Sequence, residues 1–325
     1  MIITRTPYRV SFLGGATDYP EYFLKNDGAV LGTAIDKYAY ISIIPFYSRL
    51  FDYSIRLAYS KIEKVRKLAE IKHAPINACL NLCGITKDIE INYTGELPAF
   101  SGLGTSSSFV VGLLNALYAY QGKSINPLQL AYQAINIERE VLKETVGCQD
   151  QAFAALGGFN VFEFRAVDNI VVHRVPLTAQ RIEEFEKYLL VLYTGIRRRA
   201  SVIAAKQVKK VDDNKEILKK MRKMVDEGYN VLTGSGSLTQ FGTLLDESWK
   251  LKSQLDSSIT TPGIRKIYAD GIRAGALGGK LLGAGGGGFY LFFVPPEKRN
   301  KVIQNLHLEE IPIKVNAPGS QIIHA

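Results

Sequence analysis

The sequence predicts a two-domain protein that mixes α-helices with β-strands. With 325 residues, of which 46% are hydrophobic, the chain is long enough to bury a substantial core and to divide into two domains. Its first 46 residues fall into short apolar pieces that favour strands. From residue 105 onwards, several segments instead carry apolar residues at helical spacing. The two patterns together indicate mixed α and β structure.

In the first half, strands are predicted where apolar residues alternate or run together between turn residues, and helices where they recur every three or four positions. The predicted strands are 8–13, 28–35, 38–45, 51–59, 88–93, 159–164 and 170–175. The predicted helices are 75–82, 105–120 and 127–143, and Asp150 opens a further apolar segment that ends at 156.

The second half begins near Pro176, where we place the domain boundary, so the predicted domains are 1–176 and 177–325. A strand is expected at 188–193, followed by a helix that starts at 197–201 and by charged helical material from 212 to 274. A buried strand at 290–294, a last helix from Pro295-Pro296, and short strands at 311–315 and 321–323 complete the chain.

Charge and cysteine content limit the function classes. The net charge of +9 suits anionic ligands, but it is not concentrated in a tail or interleaved with aromatic residues, so no nucleic acid partner is expected. Three cysteines, Cys79, Cys83 and Cys148, argue against a disulfide framework and suggest a reducing compartment. No apolar run is long enough to span a bilayer, so we expect a cytoplasmic protein with no membrane partner.

The stretch Pro98-Ala-Phe-Ser-Gly-Leu-Gly-Thr-Ser-Ser-Ser108 has the features of a phosphate-binding loop. Two glycines allow a tight turn, and four hydroxyl residues follow at a predicted helix start, where free N–H groups stabilise anions. A capped helix after a polar loop is the alternative, and neither a Walker loop nor a dinucleotide fingerprint fits the spacing. The candidate phosphate-binding residues are Pro98, Ser101, Gly102, Leu103, Gly104, Thr105, Ser106, Ser107 and Ser108.

Other patterns carry less information on their own. The turn at 14–19 could be an ordinary glycine-rich turn, and Arg197-Arg198-Arg199 could be a solvated basic face or an anion site at a helix start. Glu138 and Glu140 lie near a predicted helix C-terminus, where the dipole disfavours carboxylates unless they are solvated or held by a cation. The glycines between 278 and 288 are flanked by apolar residues, so the backbone must approach another group closely there.

Taken in order, three motifs give a specific resemblance. They are Pro7-Tyr-Arg-Val with Gly14-Gly15-Ala16-Thr17-Asp18, the loop at 98–108, and Lys280-Leu-Leu-Gly-Ala-Gly-Gly-Gly-Gly-Phe289. The chain resembles the GHMP kinases, the superfamily of galactokinase and of homoserine, mevalonate and phosphomevalonate kinases, from residue 7 to residue 289. The resemblance implies an α+β two-domain fold, with an N-terminal domain like ribosomal protein S5 domain 2, a ferredoxin-like C-terminal domain, and ATP and Mg²⁺ in the cleft between them.

The same resemblance implies roles for individual residues. Asp150 matches the catalytic aspartate that accepts or orients the substrate hydroxyl, and Arg9 matches the arginine beside it. Ser106 matches the serine that binds magnesium, and Glu140 lies nearest the place of a second, acidic metal ligand, with Glu138 as the competing choice. The substrate would meet the following residues: Gly14, Gly15, Ala16, Thr17, Asp18, Gly147, Cys148, Gly285 and Gly286.

The first motif also indicates the substrate. Galactokinases carry a glutamate and a histidine where this chain has Gly15 and Ala16, so galactose would lose hydrogen bonds. The variant most resembles the kinases of D-glycero-D-manno-heptose 7-phosphate and the kinase portion of fucokinases, which phosphorylate an anomeric hydroxyl. A phosphorylated substrate would give Arg198 and Arg199 an anion to bind, so heptose 7-phosphate is favoured over fucose. The sequence leaves the oligomeric state open, and a non-catalytic sugar and ATP sensor is the alternative to an enzyme.

Overall fold

The computed structural model describes residues 1–99, 101–196 and 200–325, without the side chains of residues 200 and 201. Its strands are β1 (Ile2–Leu13), β2 (Gly28–Pro45), β3 (Ile55–Ala58), β4 (Ile62–Val65), β5 (Ile89–Gly95), β6 (Phe159–Ala166), β7 (Asn169–Arg174), β8 (Leu189–Tyr193), β9 (Gly278–Leu281), β10 (Phe289–Phe293), β11 (Glu309–Glu310) and β12 (Gln321–His324).

The α-helices are α1 (Pro20–Phe23), α2 (Ala74–Cys83), α3 (Thr105–Tyr120), α4 (Pro127–Asn136), α5 (Gln149–Leu156), α6 (Ala179–Tyr188), α7 (Ala200–Lys209), α8 (Lys215–Thr233), α9 (Thr239–Leu255), α10 (Pro262–Ala274) and α11 (Arg299–Leu306). Short 3₁₀ turns occur at Ser48–Leu50, Leu68–Glu70 and Pro296–Lys298, and a π-helical turn, Ile137–Val141, continues α4.

The first sheet has eight strands and is built around the long strand β2. The strand order is β12-β1-β2-β5-β3-β4; the first half of β2 also pairs with β6, and its second half pairs with β5. Helix α3 covers this sheet and is buried along most of its length. Gly112 lets the helix approach β1 closely, since a Cβ there would lie 2.6 Å from the hydroxyl of Thr6.

The second sheet has the order β11-β8-β10-β9, and α9 packs on β9. Close packing of the helix on the strand requires glycine at 278, where a Cβ would lie 2.0 Å from the carbonyl oxygen of Gly242. A cluster of aromatic rings joins the two sheets: Phe185 contacts Phe12 at 5.4 Å and Phe241 at 5.1 Å between ring centroids. The two sheets therefore share one hydrophobic core, which fixes the cleft between them.

Several elements confirm the sequence predictions and others correct them. The helix Thr105–Tyr120 has the predicted ends. The predicted strands 28–35 and 38–45 are one strand, β2, and only Ile55–Ala58 of 51–59 is a strand. The strand predicted at 311–315 is wrong, because Pro312 has no N–H for a ladder and only Val315 forms an isolated bridge.

The boundary at 176 stays a prediction. It falls between the end of β7 at Arg174 and the start of α6, but β12 returns to pair with β1 in the first sheet. In the described part of the chain, no helix combines the length and apolar character needed to cross a membrane. Cys79, Cys83 and Cys148 are all free thiols.

Candidate active site

A cavity between the two sheets collects residues from all three motifs. Its walls come from β1, the turn at 15–19, the loop and first turn of α3 at 102–107, the segment 145–150, α7, α9, and the glycine-rich segment after β9. Segments that lie up to 275 residues apart in the sequence, from Arg9 to Ala284, therefore meet at one place.

Arg9 and Asp150 form an ion pair in this cavity. The guanidinium of Arg9 donates from Nε to Oδ1 of Asp150 at 2.8 Å and from Nη2 to Oδ2 at 2.7 Å. Its remaining nitrogen, Nη1, donates to the carbonyl oxygen of Gly102 at 2.6 Å. The bidentate geometry fixes both carboxylate oxygens, while the side chain of Asp150 remains 26% exposed to the cavity. Gly104 lies against the pair, since a Cβ there would be 3.5 Å from Oδ2 of Asp150.

The four hydroxyl residues at the start of α3 have different surroundings. Ser106 is exposed and lines the cavity, and Thr105 lines it from a buried position. Ser107 is buried and donates to the carboxylate of Glu138, and Ser108 donates to the carbonyl oxygen of Pro7 at 2.7 Å. The N-terminus of α3, with its free N–H groups, thus opens on the cavity with one exposed hydroxyl, that of Ser106.

The other residues of the predicted phosphate loop are placed behind it. Leu103 is fully buried in the core, and its carbonyl oxygen accepts from the N–H of Arg9 at 3.0 Å. Ser101 is buried and bonds through its carbonyl oxygen to the N–H of Phe289 at 3.2 Å. Neither residue, nor Pro98, nor Ser108, is among the cavity walls.

Glu138 and Glu140 lie in the π-helical turn 137–141 and, being two residues apart on a helical turn, point in different directions. The side chain of Glu138 is fully buried and accepts hydrogen bonds from Ser107 at 2.8 Å and from the amide of Gln151. Burial raises the pKa of Glu138 to about 8. Glu140, the residue chosen from the sequence, is 65% exposed and pairs with Lys143 at 3.3 Å, away from the cavity. A π turn shifts the helical register, which is why counting residues did not distinguish the two.

Asp18 is buried in the wall of the cavity, close enough to Asp150 for the two charges to interact. Its carboxylate accepts from the N–H of Ala16 at 3.1 Å and from the N–H of Gln149 at 3.4 Å. Burial, followed by the nearby charge of Asp150, raises the pKa of Asp18. Gly147 packs directly on this carboxylate, because a Cβ there would lie 1.9 Å from Oδ2. Ala16 itself has a left-handed φ of 81°, an uncommon conformation for alanine.

Of the other described residues predicted to meet the substrate, Gly14, Thr17, Cys148, Gly285 and Gly286 lie behind the cavity walls instead of lining them. Gly14 packs against the backbone of Ala29, and the hydroxyl of Thr17 donates to the carbonyl oxygens of Gly14 and Ala29, each at 2.8 Å. The N–H of Cys148 donates to the carbonyl oxygen of Asp18 at 3.0 Å. The N–H of Gly286 donates to the carbonyl oxygen of Ile259 at 2.9 Å.

The third motif packs against the predicted phosphate-binding loop. A Cβ on Gly102 would lie 2.4 Å from the carbonyl oxygen of Leu282, and one on Gly288 would lie 2.3 Å from that of Ser101. Gly285 has φ of 115° and packs on Ile259. The glycines therefore allow two backbones to touch, as the sequence predicted for this segment.

Several residues of the cavity were not predicted from the sequence. Lys252, Gln207, Ser11, Gln149 and Thr145 all line it, and Lys280 was quoted only as part of a motif. Lys252 had a signal: it follows Leu245 and Trp249 on the buried face of α9, where a lysine is unusual. Arg198 and Arg199 lie outside the described residues.

Comparisons with known proteins agree with this geometry. The family model described as the GHMP kinases N-terminal domain matches residues 62–158, and the C-terminal model matches residues 229–310. A D-glycero-alpha-D-manno-heptose 7-phosphate kinase from Campylobacter jejuni is 30% identical, with 95% of this chain and 94% of that protein aligned. An L-fucokinase/L-fucose-1-P guanylyltransferase from Bacteroides fragilis is 28% identical over 95% of this chain and 36% of that protein.

Among solved structures, a D-glycero-D-manno-heptose 1-phosphate kinase from Bacteroides thetaiotaomicron superposes with a TM-score of 0.82 at 23% identity, covering 100% of this chain and 99% of that one. At that identity the likeness concerns the fold, which is the two-domain GHMP kinase fold with mixed α and β structure. The chain therefore belongs to the GHMP kinase family, whose members are phosphotransferases that take ATP as the phosphate donor.

Proposed function

We propose that this protein is a sugar kinase that transfers the γ-phosphoryl group of ATP to the anomeric C1 hydroxyl of D-glycero-D-manno-heptose 7-phosphate. The product would be the 1,7-bisphosphate, a precursor of nucleotide-activated heptose for surface polysaccharides, made in the cytoplasm. The observation that carries the proposal is the Arg9–Asp150 pair at the open N-terminus of α3, with the carboxylate exposed to the cavity. The substrate assignment is supported by the Campylobacter jejuni relative.

In this mechanism Asp150 orients the C1 hydroxyl and accepts its proton as the hydroxyl oxygen attacks the γ-phosphorus. A new P–O bond forms at C1, the bond to the β-phosphate oxygen breaks, and ADP leaves with the electron pair. Arg9 holds both oxygens of Asp150 and places positive charge beside the phosphoryl group. The N–H groups at the start of α3 and the loop at 102–104 would bind the phosphates.

The residues present suit a magnesium ion. Ser106 offers an exposed hydroxyl at the cavity. Glu138 offers a carboxylate that accepts a hydrogen bond from Ser107, the residue next to Ser106. Oxygen donors are what Mg²⁺ prefers, and the ion usually takes only one or two protein carboxylates with substrate phosphates. We therefore assign the acidic metal ligand to Glu138 instead of Glu140. When bound, the ion would neutralise phosphate charge.

Unpaired polar atoms in the cavity favour a polyol substrate. Oγ of Ser11 and Oε1 of Gln149 are buried and have no hydrogen-bond partner among the described residues, and both residues line the cavity. Buried polar groups without partners are costly, so a ligand rich in hydroxyl groups would satisfy them. Asp18 also lines the cavity, and its carboxylate would accept hydrogen bonds from sugar hydroxyls.

Fucose is the second candidate, since the fucokinase relative is 28% identical over 95% of this chain. The phosphorylated substrate is preferred because the chain has a net charge of +9 and because Arg198 and Arg199 would bind a 7-phosphate. Replacing residues 197–199 by alanine should raise the KM for heptose 7-phosphate. An unchanged KM would remove these arginines from the phosphate site.

The experiment that tests the function is ATP consumption with heptose 7-phosphate, fucose, mannose and galactose in turn. Heptose 7-phosphate should give the highest kcat/KM, and ³¹P NMR of the product should show a second phosphate on C1. Preference for fucose would favour the second candidate. No turnover of any sugar, with ATP still bound, would favour a non-catalytic sensor.

A further inference from the structure

Lys252 is a buried lysine without an acidic partner among the described residues. It lies in the last turn of α9, and the residue is 5% exposed. Its ammonium donates to the carbonyl oxygen of Gly283, and in the described part of the chain no carboxylate forms an ion pair with it. An ammonium group has three donors, so one carbonyl leaves most of its hydrogen-bonding capacity unused. Burying a charge in this way is costly unless a ligand completes the site.

Lys252 and Arg9 make the same kind of contact, each with the carbonyl oxygen of a glycine. Arg9 donates to the carbonyl oxygen of Gly102, and Lys252 donates to that of Gly283. The two glycines touch, since a Cβ on Gly283 would lie 2.6 Å from Cα of Gly102. Both cations line the same cavity as Asp150. The two basic side chains are therefore anchored to adjoining backbones on one side of the reaction site.

Two basic and two acidic groups act on the charge of Lys252. Arg9 and Lys280 face it from β1 and β9, and Asp18 and Asp150 are the acidic groups that act on it. Burial, followed by the charge of Arg9, lowers the pKa of Lys252 to about 8. Because Asp150 is already paired in a bidentate manner with Arg9, the ammonium of Lys252 is left to bind an added anion.

We infer that Lys252 is a further catalytic residue, which donates a hydrogen bond to an oxygen of the phosphoryl group during transfer. The inference rests on the proposed kinase function. Charge on the equatorial oxygens must be stabilised in the transition state, and fixed donors in a water-poor site do this most effectively. A purely structural lysine would need only the bond to Gly283, which a neutral amine also makes.

The test compares Lys252→Met and Lys252→Arg in the full-length protein, with heptose 7-phosphate, ATP and Mg²⁺. Lys250→Met is the matched control, since Lys250 lies on the same helix, is 63% exposed and pairs only with Asp246 among the described residues. Lys252→Met should lower kcat by about 10²–10³-fold with small changes in both KM values, as removal of one transition-state donor does. Lys252→Arg should recover part of the loss, and the control should match the wild type.

A pH profile separates catalysis from folding. The protonated amine is the active form, so kcat/KM of the wild type should fall as pH rises above about 8, and Lys252→Arg should lose this alkaline limb because arginine does not titrate there. The inference is overturned if Lys252→Met keeps the wild-type kcat or raises only the KM of the sugar phosphate. If Lys252→Met does not fold, the inference is overturned when Lys252→Arg keeps the alkaline limb of the pH profile. If the wild type phosphorylates another sugar instead, the proposed substrate fails, and the same variants assayed on that sugar still decide the role of Lys252.

Discussion

The guanidinium of Arg9 holds both carboxylate oxygens of Asp150 and, through its third nitrogen, the carbonyl oxygen of Gly102. One side chain thus ties the candidate base to the loop that would bind the phosphates. The candidate base and the candidate phosphate site are therefore held in a fixed relation to each other by protein contacts alone. Such preorganisation is what in-line phosphoryl transfer requires of a protein.

Replacing Asp150 tests its role as the base. Asp150→Ala should lower kcat by at least about 10²-fold, because the substrate hydroxyl loses its proton acceptor and its orientation. ATP should still bind with nearly unchanged affinity, as measured by calorimetry, since the N-terminus of α3 is untouched. Retained turnover would remove Asp150 from the mechanism.

The metal assignment separates two glutamates that lie two residues apart. Glu138→Gln should weaken binding of Mn²⁺, used as a magnetic substitute for Mg²⁺, by about tenfold or more in the presence of an ATP analogue, because a carboxylate ligand is lost. Glu140→Gln is the control and should bind the ion as the wild type does, since its side chain faces solvent. Equal weakening in both variants, or in Glu140→Gln alone, would contradict the assignment to Glu138.

Gly147 provides a test of the proposed contact between Asp18 and the sugar. Gly147→Ala places a Cβ within 1.9 Å of the present position of Oδ2 of Asp18, so the carboxylate must move. We expect the sugar KM to rise about tenfold or more, while the KM of ATP changes little. Gly236→Ala is the matched control, because nothing lies within 4 Å of its added Cβ. A normal sugar KM in Gly147→Ala would show that Asp18 does not bind the substrate.

Asp256 should make stability depend on pH. Asp256 directly follows the last residue of α9, and its side chain is 6% exposed. Its carboxylate accepts hydrogen bonds from the ammonium of Lys210 at 2.7 Å and from the hydroxyl of Ser258 at 2.6 Å. These hydrogen bonds, that of Lys210 first, lower the pKa of Asp256. The stability that ionised Asp256 contributes to the fold is therefore fully present above its pKa in the unfolded chain, about 4, and is lost as pH falls through its lower pKa in the folded protein.

Asp256→Asn should reduce the free energy of unfolding by about 1.5–3 kcal/mol at pH 7, the range for hydrogen bonds to charged groups. Urea denaturation from pH 7 down to pH 3 measures the effect, and the gap between variant and wild type should narrow below about pH 4. A gap that stays constant over this range would mean that ionisation of Asp256 does not stabilise the fold.

The sequence identified the parts of the site that depend on local chemistry. Glycines and hydroxyl residues before an apolar helix predicted the loop at 102–108, because turn geometry and helix starts are set by nearby residues. Arg9 and Asp150 came together only through the family resemblance, since 140 intervening residues separate them and no local pattern links the two.

Features that depend on tertiary context were missed or misplaced. Glu138 could not be separated from Glu140, because the π turn that orients them arises from packing and not from a visible sequence signal. Lys252 was grouped with the other charges of a charged region, although its spacing from Leu245 and Trp249 placed it on the buried face of α9; its contact with Gly283 could not be foreseen. The strand expected at 311–315 failed at Pro312, where the absence of an N–H should have outweighed the apolar pattern.

The central claim is that Asp150, held by Arg9, directs the γ-phosphoryl group of ATP to the C1 hydroxyl of a sugar phosphate. The most direct measurement is ³¹P NMR of the product formed from ATP and D-glycero-D-manno-heptose 7-phosphate by the wild type and by Asp150→Ala. We predict a new anomeric phosphate signal with the wild type and none with the variant over the same time. A new phosphate at any other position, or an anomeric signal of equal rate with Asp150→Ala, would contradict the claim.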